Sequence, residues 1–305
     1  MNFKNKKRLS NSIGFTLLEL VVVLAILGFL TAMTSRIFTN EDDQRRFDET
    51  RAQMQEIKKA ILGGEGAYAN GQRQFAGYVA DMGGLPALDA VTNQPEGLWT
   101  DDLDSDGTPD LLGWVYNPLP NPPDSMVWMG WRGPYVGTPA LRSGEVSGQE
   151  KLRDGWGNPL VFDDTTTPGD LIITSPGANG VINAVDTGFD KDIAMIIKQT
   201  EYMAPVAGRV RNFDASTEAN VTVTIYFPVS GIEPNPDHTI SGVPVDGYFR
   251  FERGAAGVGT NGTRDIPAGV RHIFVSGIVS GVSVQRAVVF TVEPTGNWLG
   301  DINLQ

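Results

Sequence analysis

The stretch Gly14-Phe15-Thr16-Leu17-Leu18-Glu19, continued to Thr34 as LVVVLAILGFLTAMT, decides how the rest of the chain is read. From Phe15 to Thr34 it supplies 20 mostly apolar residues. As a helix they extend about 30 Å, the thickness of a bilayer core. A cleaved secretory signal has an apolar run of roughly 7–15 residues that ends at a small-x-small site. Here the run is longer and Ala32-Met33-Thr34 is a poor site, so the segment predicts a membrane anchor, with the span at 15–37. Lys4, Lys6, Lys7 and Arg8 precede it. They hold residues 1–14 on the cytoplasmic side and leave everything after Arg36 across the membrane. Glu19 breaks the pattern. A carboxylate inside a spanning helix costs roughly 2.5–3.5 kcal/mol and needs a partner.

The helix is predicted to outlast the membrane. Ile37, Phe47, Met54, Ile57 and Ile61 fall on one helical face, with Arg45, Arg46, Glu49, Lys58 and Lys59 elsewhere, and Gly63-Gly64 ends the run. A helix from Phe15 to Leu62, within a segment drawn at 15–64, is about 72 Å long. Its first half suits lipid or other copies, and its second half offers a stripe to a globular core.

Composition sets the remaining bounds. The 305 residues carry 36 acids against 24 bases, a net charge of -12, which argues against a nucleic-acid partner held on a broad basic face. There is no cysteine, so disulfide scaffolds, thiolate metal sites and cysteine catalysis are excluded. His238 and His272 are the only histidines, too few for a His-rich metal site. The charge is unevenly spread: residues 41–204 hold 26 acids and 12 bases, whereas 205–305 are close to balanced. Residues 65–204 are rich in turns such as Gly83-Gly84, Asn117-Pro118, Asn121-Pro122-Pro123 and Asn158-Pro159. Short strands are predicted at 160–162, 171–174 and 193–197. Residues 205–305 alternate like half-buried strands at 206–210, 221–227, 247–251, 271–275 and 282–292, with turns spaced as in a β-sandwich. The fold class is therefore α+β: a long N-terminal helix on a small antiparallel sheet with long loops, then an all-β sandwich.

Taken together, the glycine, the phenylalanine, the glutamate four residues on, the basic leader and the apolar run resemble the type IV prepilin cleavage motif, shared by pilins and the pseudopilins of type II secretion. The resemblance implies that prepilin peptidase cuts after Gly14 and methylates the new amino group of Phe15. It also gives Glu19 a partner. The liberated amine lies one helical turn away, so the carboxylate of one subunit pairs with the amine of a neighbour and sets assembly in register. Two further pieces are similar to the major pseudopilin of type II secretion. Trp131-Arg132-Gly133-Pro134-Tyr135 with Asp154-Gly155-Trp156-Gly157-Asn158-Pro159 resembles its GPY … DxWGNP segment. Ser175-Pro176-Gly177-Ala178-Asn179-Gly180 with Asp190-Lys191-Asp192-Ile193 resembles its calcium loop.

Calcium takes about six to eight oxygen ligands, and two loops could supply them. One centres on Asn179, Asp190 and Asp192, with Asn183 and Asp186 nearby. The other is Asp102-Leu103-Asp104-Ser105-Asp106-Gly107-Thr108-Pro109-Asp110, whose D-x-D-x-D-G order matches the start of an EF-hand-type loop but has Gly113 where the twelfth-position glutamate would stand. Asp102, Asp104, Asp106 and Asp110 are its candidate ligands. For each loop the alternative is a solvated acidic turn. Trp99, Trp114, Trp128, Trp131 and Trp156 are expected chiefly in a core, with sugar stacking the alternative.

In the last hundred residues, GRV … VTVTIY … DGYFRF … IPAGVRHIFV is similar to transthyretin-like, carboxypeptidase-regulatory sandwiches, which mostly bind or support. Gly257 to Gly262 spells G-x-G-x-x-G but runs into Thr263–Pro267 rather than a helix, so a hairpin loop is expected. No P-loop, HExxH or GxSxG pattern occurs, and no enzymatic role is expected. The resemblances imply a pseudopilin-like structural subunit, processed by prepilin peptidase and assembled with other pseudopilins or pilins on the inner-membrane secretion platform. The anchor would be single-pass, with the globular part in the periplasm or on an extracellular filament. The bulky sandwich would crowd a uniform filament, which points to a minor or tip subunit or to one that contacts secreted cargo. The alternative is a minor type IV pilin acting as an adhesin.

Overall fold

The computed structural model describes residues 17–64, 68–69, 72–73, 77–116, 127–183, 185–214, 220–228, 239–241, 247–252, 260–262 and 265–304. The leader, the Gly14–Phe15 cleavage pair, the turns at 117–118 and 121–123, His238 and residues 257–259 lie outside them.

One long N-terminal helix is followed mostly by strands. The helix α1 runs from Leu17 to Leu62, 46 residues, or about 69 Å. It ends where Gly63, at φ 91°, donates its N–H to the Lys59 carbonyl at 2.8 Å, the left-handed stop that the Gly63-Gly64 pair predicts. Thr50, Met54, Ile57 and Ile61 are buried at spacings of four, three and four, one continuous helical face. Phe47 is half-buried, edge-on to Phe189 at 6.3 Å.

A two-residue hairpin, β1 (Tyr68–Ala69) with β2 (Gln72–Arg73), leads to the short helix α2 (Tyr78–Met82). The antiparallel pair β3 (Gly113–Tyr116) and β4 (Val127–Gly130) follows. A three-stranded antiparallel sheet is then built from β5 (Val161–Asp163), β6 (Leu171–Ser175) and β7 (Ile193–Ile197), in that order. β6 alternates buried and half-buried along its length, so Leu171 and Ile173 face Met54, Ile57 and Ile61 of α1 in one apolar cluster with Tyr78, Leu98, Trp99 and Phe162. The amphipathic half of the helix thus docks on the small sheet.

The remaining strands are β8 (Met203–Ala204), β9 (Val206–Arg211), β10 (Thr222–Tyr226), β11 (Thr239–Ser241), β12 (Tyr248–Phe251), β13 (Thr260–Gly262), β14 (Ile266–Pro267), β15 (Gly269–Val279), β16 (Val282–Val292) and β17 (Asn297–Asn303). They make two four-stranded sheets, ordered β11-β10-β15-β16 and β13-β12-β9-β17. Val223, Ile225, Ile273 and Val275 of one and Val206, Val210, Phe249, Phe251 and Ile302 of the other share a second apolar cluster. The long β15–β16 hairpin turns at Ser280 (φ 51°) and Gly281 (φ 76°), the two left-handed positions of a tight hairpin. Asp214 accepts both of their N–H groups at 3.0 and 3.1 Å. β17 lies parallel to β9, with a register shift between Trp298 and Asp301.

The two clusters are tied together. β8 pairs with β14, and the turn after α2 presses on the 227–228 segment of the second cluster. Gly83 sits at φ 77°, and a Cβ there would stand 1.7 Å from the Pro228 carbonyl oxygen. Gly83→Ala is therefore expected to destabilise the protein by more than about 1 kcal/mol, since both the left-handed backbone and a backbone atom oppose the methyl. Urea denaturation of wild type and variant checks it.

Candidate functional site

From Leu17 to Leu30 the described side chains of α1 are exposed all round: Leu17 is 82% exposed, Leu24 60% and Phe29 65%. A rod of leucine, valine, isoleucine and phenylalanine that buries nothing against its own chain needs a cover of lipid or other helices. Glu19 stands in the first turn of this rod and is itself exposed. Among the described residues no helix is long and apolar enough to cross a membrane. The expected span at 15–37 draws on residues 15 and 16 and on side chains from 31 to 37 that lie outside the description.

The acidic loop is the second site. Ser105 and Gly107 adopt left-handed conformations, φ 58° and 88°, and fold the loop back on itself. Carboxylate oxygens of Asp102, Asp104 and Asp106 come within 4.8 Å of one another. Asp102 accepts the N–H groups of Asp106 (3.2 Å) and Gly107 (2.8 Å), and Asp106 accepts that of Thr108 (2.7 Å). Asp104 accepts the Asp106 N–H at 3.1 Å. That bond lowers its pKa, but slight desolvation and the charges of Asp106, Asp110 and Asp102 together raise it. Asp110 is turned elsewhere: its Oδ2 accepts the backbone N–H groups of Leu103 at 2.7 Å and Asp104 at 3.3 Å. Three of the four expected ligands are thus gathered, and the fourth braces the loop.

The other acidic loop is arranged differently. Asn179 donates to Asp186 and accepts the Val181 N–H at 2.8 Å, while Asp192 accepts the Asn183 N–H at 2.9 Å. Asp186, Asp190 and Asp192 do not form a comparable triad among the described residues. The tryptophans divide. Trp99 is buried, Trp131 donates to the Gly97 carbonyl at 2.8 Å, and Trp156 donates to Asp43 on α1 at 3.3 Å. Trp128 is 62% exposed, against the expectation of a core, because on β4 it occupies the face opposite buried Met129. The Trp114 side chain lies outside the description. His272 is buried in β15, and desolvation pushes its pKa down to about 4, so it is neutral at pH 7.

The segments at 131–135 and 154–159 brace the two helices. Asp154 is buried and accepts the N–H groups of Trp156 and Asn158 and the Ser175 hydroxyl. The turn it holds brings the Gly155 N–H to the Thr50 hydroxyl at 2.8 Å, and a Cβ on Gly155 would lie 2.2 Å from the Arg46 carbonyl oxygen. Tyr135 donates to Asp81 at 2.9 Å, which also pairs with Arg132. Sequence reasoning missed Thr50, Asp81 and above all Arg271. The Arg271 guanidinium, buried at the start of β15, donates to the carbonyls of Val79 and Ala80 on α2 and of Pro267, Ala268 and Val270 on its own side. Burial, with the nearby Arg132 charge, pushes its pKa down to about 9, which leaves it charged at neutral pH.

Residues 9–35 match the family model described as the prokaryotic N-terminal methylation motif. The chain therefore begins with a type IV pilin-like segment, of the kind that prepilin peptidase processes and that assembles with other pilins. No curated protein and no solved structure matches the chain.

Proposed function

We propose that this protein is a pseudopilin-like structural subunit of a type II secretion or type IV pilus-like filament, present as a minor or tip copy. The apolar half of α1 anchors it in the inner membrane and then packs in the filament core, and the strand-rich remainder faces the periplasm or the filament exterior. The observation that carries the reading is the apolar rod from Leu17 to Leu30, exposed on every side and bearing Glu19 in its first turn. The test is mass spectrometry of the chain isolated from its native membrane. Loss of residues 1–14 with a methyl group on Phe15 is expected, and an intact leader overturns the reading. A second measurement addresses the subunit's place: its abundance relative to other subunits in purified filaments should be low, and equal abundance along the fibre refutes a minor or tip role.

We further propose that Asp102, Asp104 and Asp106 hold calcium and stiffen the loop. Three carboxylates this close repel one another unless a cation sits between them, and calcium suits an all-oxygen set. Calcium at a hundredfold excess over its Kd is expected to stabilise the protein by about 2.7 kcal/mol, read as a rise in thermal midpoint. Asp104→Asn with Asp106→Asn should abolish that rise and, without calcium, should raise the midpoint slightly by removing repulsion. A midpoint indifferent to millimolar calcium removes the metal from the account.

A further inference from the structure

The outer face of the sheet β13-β12-β9-β17 carries a pair of exposed aromatic rings. Side chains alternate across a sheet, so while Phe249, Phe251 and Val210 point into the core, Tyr248 on β12, Arg209 on β9 and Trp298 on β17 point outward. Trp298 is 60% exposed and Tyr248 45%, and their ring centroids lie 6.0 Å apart at a 38° tilt. The Arg209 guanidinium covers the Tyr248 ring at 4.6 Å. Ala207 is the register partner of both Arg250 and Trp298, so a methyl group floors the space between two large side chains.

The polar surround is amphoteric. Arg211 pairs with Asp301 at 3.0 Å and Arg250 with Glu252 at 2.7 Å, which places donors and acceptors side by side around the rings. Arg209, Arg211 and Arg250 against Asp301 and Glu252 leave the face at about +1, far from the concentrated charge that a polyion needs, on a chain of net charge -12. Neither a polyanion nor a polycation gains from such a surface. An uncharged pyranose chain does: its flat C–H faces lie on aromatic rings, and its hydroxyl groups both donate and accept to those ion pairs.

We propose that Trp298 and Tyr248 form a stacking platform for a neutral polysaccharide, with the Arg211–Asp301 and Arg250–Glu252 pairs as its hydrogen-bonding rim. The platform is read from the strand-rich end of the chain and stands whether or not the assembly reading holds. The test titrates the full chain in detergent micelles with cellohexaose and with chitohexaose by calorimetry, with heparin and single-stranded DNA as polyanion arms. Binding of a neutral hexasaccharide is expected, weakened about tenfold or more by Trp298→Ala and by Tyr248→Ala. Trp128→Ala, at an exposed tryptophan outside the platform, should leave it unchanged, and thermal midpoints should show that each variant is folded. Failure of both hexasaccharides to bind overturns the proposal, as does binding that Trp298→Ala leaves intact. Binding confined to heparin or DNA also overturns it, because the face would then read a polyanion. Loss of filament incorporation in Trp298→Ala without sugar binding in wild type would make the face a subunit contact and overturn it equally.

Discussion

Glu19→Ala is expected to remove the chain from filaments while leaving its folded part untouched. The residue is exposed in the first turn of α1, 31 residues before Thr50, the first buried position among the described residues, or about 46 Å along the axis. Nothing that packs in the two apolar clusters is within its reach, so the thermal midpoint should not move. In the proposed filament its carboxylate meets the Phe15 amine of a neighbouring subunit in an apolar surround. Deleting one partner there leaves an uncompensated charge and costs about 3–5 kcal/mol, on the order of a hundredfold or more in the assembly constant. The measurement is the ratio of this chain to its neighbours in filaments from cells expressing wild type or variant. Glu19→Gln separates charge from hydrogen bonding and should recover only part of the incorporation. Wild-type incorporation of Glu19→Ala would mean that register is set elsewhere, and the assembly mechanism would fall even if the leader is cut as expected.

What was legible in the sequence was what has a local period. Met54, Ile57 and Ile61 announce the docked face of α1 because a helix repeats every three to four residues, and those side chains are buried. The short apolar run at 171–174 and the strand pattern over 282–292 give β6 and β16 nearly to the residue. The acidic triad was legible because its members are two residues apart and a left-handed turn suffices to gather them. Asp110 shows the limit of the same reasoning: spacing nominates a carboxylate, but only the folded loop shows that it is held by the N–H groups of Leu103 and Asp104. β17 escaped because Gly300 falls where the register against β9 shifts, which breaks the two-residue alternation, and because its partner lies about 90 residues earlier. Nothing local in the sequence pairs Trp298 with Tyr248, since β9 lies between their strands.

Arg271 was the deepest omission, and its replacement carries the largest expected loss of stability. In the run Val270-Arg271-His272 it looks like an outward polar residue of an alternating strand, yet it is 1% exposed. It sits where β15 meets α2, and its guanidinium satisfies carbonyls of both segments at 2.6–3.4 Å. The carbonyls of Val79 and Ala80 lie in a helix of only five residues, which has too few internal hydrogen bonds to stand without outside partners. Arg271→Met keeps the aliphatic stem but removes the donor. The Val79 carbonyl keeps the Gly83 N–H at 2.9 Å, and each of the other buried carbonyls that is left with no partner, and that water does not reach, costs about 1–3 kcal/mol. A total loss of about 3–5 kcal/mol is expected, a large share of the stability of an ordinary domain. Arg271→Lys should recover part of it, since one ammonium offers three donors where the planar fork offers five and cannot span both sides equally. The loss should also change the form of the transition. Arg271, the β8–β14 pair and the Ala268 N–H to Tyr202 carbonyl bond at 2.8 Å are polar ties between the helix-packed cluster and the two-sheet cluster. Arg271 makes most of their hydrogen bonds to α2, so urea unfolding followed by near- and far-ultraviolet circular dichroism should be one transition in wild type and two in Arg271→Met. A single transition at an unchanged midpoint would mean that water or a shifted backbone takes over the guanidinium's bonds, and that the tie between the clusters resides in their apolar contact alone.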